Sequence, residues 1–420
     1  MALQMKDSGV EWIGEIPEGW KIYRNKVCFE CSKAVVGVAS SDTQLLSLTT
    51  KGIKQKRPED STGKVPDSYD TYQLVEPDDI VMCLFDLDVS AVFSGRSAYY
   101  GMISPAYKVL KCIERYTLPR FAEYWFAYVF DGRKFRHYSK NLRYTLTYEE
   151  FAVLPLAMPP LPEQHRIADF LDRRCAEIDA VIERTKATIE EYKKLKQAVI
   201  TEAVTKGVRG ERKMKDSGIE WIGEIPEEWE VLPHKYVMHK EKSICEHYAG
   251  EDIISLTMNG VIVRDLTAGG KMPTTFDGYQ YVEPDDMLLC LFDIDVTPRC
   301  VGIVRNHGVT SPAYSRFKVH VGYYNAYYDY LLRFIDDEKV FIHLSKNLRS
   351  SLTETDFGAI KTISPSYDEQ VEIAIYLDEK CAAIDTLIAK KSALLTELET
   401  YKKSLIYEYV TGKKEVPACP

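Results

Sequence analysis

A stripe of mostly apolar residues runs through Leu171, Cys175, Ile178, Ile182, Thr185, Ile189, Tyr192, Lys196 and Val199 in steps of four and three. Such steps average about 3.5 residues, the period of a coiled-coil seam, so the stretch predicts a long helix built to lie against another. The stripe returns at a constant offset of 206 as Leu377, Cys381, Ile384, Ile388, Lys391, Leu395, Leu398, Lys402 and Leu405. Start and stop signals bracket both copies. The first opens at "PPLPEQ", where Pro162 suits the first turn and Glu163 the positive end of the dipole, and closes at Gly207. The second opens at "SYDE", where Ser366 and Glu369 fit a capping box, and closes near Gly412. Each helix is then about 43 residues, or ~65 Å at 1.5 Å per residue.

A seam of that length does not stay exposed in a soluble monomer, and its natural partner is its own repeat. Related copies associate about a closed two-fold axis, which makes the pair antiparallel and sends what precedes each helix to opposite ends. The expected shape is two heads held apart by a two-helix rod.

What precedes each helix is also written twice. "MKDSGVEWIGEIPEGW" at 5–20 returns as "MKDSGIEWIGEIPEEW" at 214–229, identical at fourteen of sixteen positions. "LVEPDDIVMCLFDLDV" (74–89) returns as "YVEPDDMLLCLFDIDV" (281–296), "SPAY" at 104 returns at 311, and "SKNLR" at 139 returns at 345. A period near 207 residues is far longer than the ~20–50 of solenoids and propellers, so it marks a duplicated domain pair. Within each copy, short apolar runs rich in Val, Ile, Tyr and Phe are broken by Gly, Pro, Asn and Asp, which predicts mixed strands and loops. "RFAEYWFAYVF" (120–130) predicts a buried helix in the first copy. The fold class is α+β.

Composition adds bounds. The 420 residues are 45% apolar and 28% charged, ordinary for a globular chain. No run approaches the length of a membrane span, and Met1 to Lys6 lacks the basic start and apolar stretch of a secretion signal, so a cytoplasmic protein is expected. The ten cysteines mostly sit in apolar runs, as Cys83 does in "IVMCLF" and Cys290 in "MLLCLF", and read as small buried hydrophobes. Cys28 and Cys31 form one CxxC, but zinc wants four ligands and the second copy has nothing comparable. A net charge of -9 argues against a protein that coats nucleic acid, although residues 21–158 carry a balance of +3 and residues 230–364 one of -4.

The chain carries none of the common catalytic motifs. No GxxxxGK[ST] loop, no glycine fingerprint for a dinucleotide or S-adenosylmethionine and no [DN]PP[YF] motif occurs. Asp78, Asp79, Asp86 and Asp88, with Asp285, Asp286, Asp293 and Asp295, are the tempting carboxylates. The favoured reading is structural: Pro77, Asp78 and Asp79 turn into a buried strand, and the aspartates of "LFDLDV" alternate along its outward face. No lysine stands near to complete a nuclease site. Basic and aromatic loops suit nucleic acid better, because long cations hold phosphates while Arg and Asn read base edges. The candidate contacts in copy one are Lys51, Lys54, Lys56, Arg57, Arg96, Tyr99, Arg136, Lys140, Asn141 and Arg143. In copy two they are Asn259, Arg264, Arg299, Lys346, Asn347 and Arg349. "LTTKGIKQKR" becomes "LTMNGVIVR" between copies while "SKNLR" is kept, as expected of one scaffold carrying two different reading loops.

"LPPLPEQHRIADFLDRRCAEID" closely resembles the start of the central conserved helix in specificity subunits of type I restriction-modification enzymes, and "SPSYDEQVEIAIYLDEKCAAID" resembles the second such helix. The "SGVEWIGEIPEGW" and "VEPDDIV" segments look like that family too, so the resemblance spans nearly the whole chain. It implies a non-catalytic subunit in which residues 1–160 and 208–364 are target recognition domains, and residues 161–207 and 365–420 are antiparallel spacer helices. It further implies double-stranded DNA with a bipartite site, two modification (methyltransferase) subunits and restriction subunits as partners. The cofactors S-adenosylmethionine, ATP and magnesium would then belong to those partners and none to this chain. The resemblance fixes no residue-level contact, so the candidates above rest on charge and loop position alone. Similar heads about a two-fold favour half-sites resembling inverted repeats, and a rod of this length suits halves about one DNA turn (~34 Å) apart. The opposite-sign charges of Arg173, Glu177, Glu183 and Arg184 suit protein docking on the helices. Two rival readings remain: a metal-dependent nuclease using Asp86 and Asp88, and a coiled-coil scaffold without DNA preference.

Overall fold

The computed structural model describes residues 4–57, 66–139, 144–258, 260–267, 273–297, 299–345 and 350–417. Two compact units emerge, one of residues 1–186 and 393–420, the other of residues 187–392. Each holds one head together with part of both long helices, which span Leu161–Lys206 and Tyr367–Val410.

In the first unit the repeated opening folds as a hairpin pairing Met5–Asp7 with Glu15–Pro17. Lys21–Arg24 pairs antiparallel with Pro155–Met158, tying the start of the head to the residues just before the long helix. Between them lies a four-stranded antiparallel sheet in the order Phe29–Cys31, Lys108–Cys112, Ile80–Met82, Ser94–Arg96. The predicted buried helix is present as Pro119–Asp131. Pro119 costs nothing at a position whose N–H has no helical partner, and Phe121, Ala122, Trp125, Phe126 and Val129 fall on one buried face.

The second unit repeats the plan. Its hairpin pairs Met214–Asp216 with Glu224–Pro226, and Glu230–Pro233 pairs with Lys361–Ser364. Its first sheet runs Met238–Lys240, Ser315–Val319, Met287–Leu289, Val301–Ile303, and its head helix spans Asn325–Asp337. A second four-stranded sheet, Gly260–Val263, Ile253–Thr257, Gly308–Thr310, Gln280–Val282, contains one parallel pair.

The seam is where the two long helices meet. In the first unit Phe170 packs against Tyr409 and Asp179 pairs with Lys402, so residue number rises on one helix as it falls on the other. In the second unit Lys196 pairs with Asp385 while Arg209, just past the helix end, reaches Glu372. The helices are therefore antiparallel within each unit. Leu171, Cys175, Ile178, Ile182, Thr185 and Ile189 are buried, whereas Tyr192, Lys196 and Val199 are half-buried.

A device not foreseen in the sequence fixes each head to its long helix. Neither head helix carries a side-chain cap of its own. Instead the buried carboxamide of Gln164 accepts the Leu118 N–H at 2.8 Å and donates to the carbonyl of Pro159 at 3.0 Å. Gln370, 206 residues later, accepts the Tyr324 N–H at 2.8 Å and donates to Pro365 at 2.8 Å. A buried amide is stable only when its groups are matched, and here it also supplies the missing cap. Tyr124 donates to Asp172 and Tyr330 to Asp378, each at 2.7 Å, adding a second link of the same kind.

Two local expectations are corrected. Glu369 does not close a capping box with Ser366, because its carboxylate is drawn away by the Trp229 indole N–H at 3.1 Å and by Arg212 from the connection after the first long helix. The aspartates of "LFDLDV" do not lie on a strand face. The strand ends at Met82, and Asp86 (φ 50°) turns the chain into a tight loop, as Asp293 (φ 47°) does in the second copy. Aspartate tolerates the left-handed region better than most residues, which explains its presence there. The expected turn at Asp78 and Asp79 is present: Asp78 has φ 70°, and Asp79 accepts the Glu76 N–H at 2.8 Å ahead of the buried strand Ile80–Met82.

Candidate nucleic-acid interface

The divergent loops of the two copies fold as the same hairpin. Leu46–Thr49 pairs with Gly52–Gln55, and Ile253–Thr257 pairs with Gly260–Val263. At the turn, Thr49 donates to the carbonyl of Gly52 at 2.8 Å, and Thr257 donates to Gly260 at 2.9 Å. Gly52 (φ 84°) and Gly260 (φ 95°) take the left-handed conformation that closes both turns. Ser47 opposes Lys54 in one hairpin, and Ser255 opposes Ile262 in the other.

This shared frame presents opposite surfaces. Lys51 at the turn and Lys54 and Gln55 on the strand are exposed; Arg57 beyond it is exposed and Lys56 half-exposed. At the places of Lys54 and Gln55 the second hairpin carries Ile262, 44% exposed, and Val263, 39% exposed, flanked by exposed Met258 and Leu266. Exposed apolar residues at such an edge are a poor match for phosphate and a good one for the methyl group of thymine. These four residues carry no charge and so do not stand out as basic loops do; the exchange of Lys54 for Ile262 between the copies is what marks them in the sequence.

The remaining candidates divide. Arg96 lies on a strand with its guanidinium paired to Asp78 at 2.8 Å and Glu123 at 2.9 Å, so its charge is offset within the head. Arg299 sits 2.9 Å from Asp337 and 3.6 Å from Asp336, likewise offset. Tyr99 is half-buried against the core patch formed by Leu48, Ile53 and Val81. Arg264 is half-buried, its N–H donating to the Ile253 carbonyl at 2.7 Å. Arg136 is exposed, stacked over Tyr144 at 4.5 Å and donating to that hydroxyl at 3.2 Å, which leaves a planar, pre-positioned cation. Lys140, Asn141, Arg143, Asn259, Lys346, Asn347 and Arg349 lie outside the described residues. Nearby Arg133 is spent on the carbonyls of Leu87 and Ser90, and Lys134 lies over the Tyr128 ring, where burial pulls its pKa down.

Among the described residues no three His, Cys, Asp or Glu side chains gather as a metal site, and no helix is long and apolar enough to cross a membrane. Cys28 is fully buried in the first core, and burial pushes its thiol up to about 11.

No family model matches the chain. It is 26% identical over 278 residues to the putative type I restriction enzyme MjaX specificity subunit of Methanocaldococcus jannaschii, a match covering 63% of this chain and 60% of that protein. It is 24% identical over 291 residues to the type I restriction enzyme MjaVIII specificity subunit of the same organism, covering 63% of each. The chain thus spans somewhat under two thirds of the length of the relatives it matches. Among solved structures, a chain from "Structural basis underlying complex assembly and conformational transition of the type I R-M system" superposes with a TM-score of 0.71 at 12% identity, covering 95% of this chain and 99% of that one. The similarity to type I restriction specificity subunits therefore holds in sequence, and the fold is that of a chain from a type I system.

Proposed function

We propose that this chain, similar in sequence and fold to type I restriction specificity subunits, is a non-catalytic DNA-reading subunit whose two heads each read one half of a bipartite double-stranded site. The observation that carries the reading is the hairpin that occurs twice with the same turn chemistry and opposite surfaces: lysines at 51 and 54 in one, Ile262 and Val263 in the other. A scaffold kept constant while its exposed edge changes is what two related reading heads require. The lysine edge would hold phosphates, and the apolar edge would meet base methyl groups in the major groove.

In this reading two modification subunits dock on the chain and supply the S-adenosylmethionine chemistry, and restriction subunits supply ATP- and magnesium-dependent translocation and cleavage. This chain contributes the choice of sequence. Two weak half-site contacts joined in one molecule multiply, so both halves are needed for tight binding. The test is to co-express the chain with a type I modification subunit and sequence the host genome for modified adenines. A single bipartite motif with a fixed gap is expected, with halves resembling inverted repeats. A verified complex that modifies nothing, or modifies without sequence preference, overturns the reading.

A further inference from the structure

The two units differ sharply at one matching place. In the first, the Phe170 ring packs tilted against Tyr409 with ring centroids 4.5 Å apart, inside the range that favours aromatic pairs, and Tyr409 is 6% exposed. Around that pair, Lys414 neutralises Glu408 at 2.8 Å and Lys413 donates to the carbonyl of Glu15 at 2.6 Å. One aromatic ring and two lysines thus fill the place.

At the offset of 206, Phe170 becomes Tyr376, Glu408 becomes Glu202 and Tyr409 becomes Ala203. The ring is gone, and a groove of about 690 Å³ lies where its counterpart sits in the first unit. Val199, Ala203 and Tyr376 line its apolar part, and Glu202, Glu211 and Glu224 stand around it. Among the described residues these three carboxylates have no ion-pair partner. Of the two cations lining the groove, Arg212 is held by Glu228 and Glu369, which leaves Lys206 against three acids. Arg209, in the connection that follows, is turned away to Glu372.

We propose that this groove in the second unit docks one segment of a partner protein, anchored by an aromatic side chain and flanked by lysines or arginines. The first unit shows the chemistry that completes such a place, and the second has kept the receiving surface while losing the occupant. A volume near 690 Å³ is ample for an aromatic anchor with its neighbours. The acidic rim favours a basic flank and disfavours a nucleic-acid backbone. Because the counterpart in the first unit is already filled by Tyr409, one segment binds per chain. Docking at this groove does not require DNA reading by the heads.

The test uses the full chain and a fluorescently labelled Lys-Lys-Tyr-Lys-Lys peptide, followed by anisotropy. Saturable binding at one peptide per chain is expected, with at least tenfold loss when alanine replaces the tyrosine of the peptide. Ala203→Tyr restores the occupant from within and should abolish binding while leaving the helical circular dichroism and thermal midpoint at or above the parent. Glu202→Lys lies on the exposed rim, does not threaten folding and should weaken binding at least fivefold. Three results overturn the proposal: no saturation by the parent chain, equal binding by both variants, or displacement of the peptide by a DNA duplex.

Discussion

The ammonium of Lys402 lies 2.6 and 2.7 Å from the two carboxylate oxygens of Asp179. Lys196 stands in the same relation to Asp385, at 2.7 and 2.6 Å, with 206 residues separating the two lysines and 206 the two aspartates. Both lysines occupy positions of a seam that is mostly apolar, with Thr185 and Lys391 as its other non-aromatic polar members. A charged seam residue matched by one partner selects a register at the expense of apolar packing. With Lys402 about a third exposed and Asp179 about half, the pair contributes little to stability, of order 0.5 kcal/mol. Lys402→Leu is therefore expected to leave the urea midpoint unchanged or raise it. Lys402→Glu should lower the unfolding free energy by ~1 kcal/mol, and adding Asp179→Lys should recover most of that loss. A double-mutant cycle with coupling well above ~1 kcal/mol would show the pair to be a stability element instead.

His234 sets a pH dependence for the second unit. It is completely buried, its Nδ1 donates to the Ile360 carbonyl at 2.9 Å, and its Nε2 has no partner among the described residues. Burial pulls its pKa from 6.5 to about 4, so the folded state holds the neutral ring. The unfolded chain takes up a proton first as the pH falls. Stability is then intact above about pH 6.5, declines below it and stops declining beneath about pH 4, a loss on the order of 3 kcal/mol. In the first copy Asn25 holds the same place, donating to Phe151 at 2.9 Å, and does not titrate. His234→Asn should flatten the dependence between pH 6.5 and 4 in chemical denaturation; an unaltered slope would assign it to other groups.

Much of this architecture was legible in the sequence for a physical reason. A seam repeats over forty residues, so each position reinforces the next, and the duplication gave every element a second reading. The head helix at Pro119–Asp131 was legible from its apolar run alone. Features that depend on one distant partner were not. The ion pairs of Arg96 and Arg299 are of this kind, because nothing in their neighbourhoods along the chain announces Glu123 or Asp337. Glu369 fitted a capping box by spacing, and its capture by Trp229 and Arg212 is a tertiary event. The alternation of "LFDLDV" mimicked a strand because left-handed Asp86 is invisible to periodicity.

Gly412 closes the second long helix in the left-handed conformation, with φ 69°. A Cβ there would stand 2.4 Å from Cδ of Pro17 and 3.1 Å from the Trp20 ring, neither of which is the free end of a flexible chain. Gly412→Ala should therefore cost more than the ~1 kcal/mol of the backbone conformation alone, and lower the thermal midpoint by several degrees. Gly218→Ala supplies the comparison, since its φ is 66° and nothing lies within 4 Å of its Cβ. Equal losses in the two variants would mean that the Pro17 and Trp20 contact adds nothing.

The hairpins give the sharpest test of sequence reading. Lys54 and Gln55 stand where the second copy has Ile262 and Val263, on strands whose turn bonds are the same to within 0.1 Å. Because the frame is shared, Lys54→Ile with Gln55→Val changes the exposed chemistry without requiring a new backbone. If Lys54 meets a phosphate, its removal lowers the magnitude of the salt slope of binding by about 0.9. If the new apolar pair meets bases, one half of the recognised site changes while the other half and the gap between them stay fixed. Both effects are read from the same complex, by binding at several salt concentrations and by mapping modified adenines. A double variant that keeps its salt slope and both half-sites would remove this hairpin from the interface and leave the exposed Arg136, stacked on Tyr144, as the candidate to examine next.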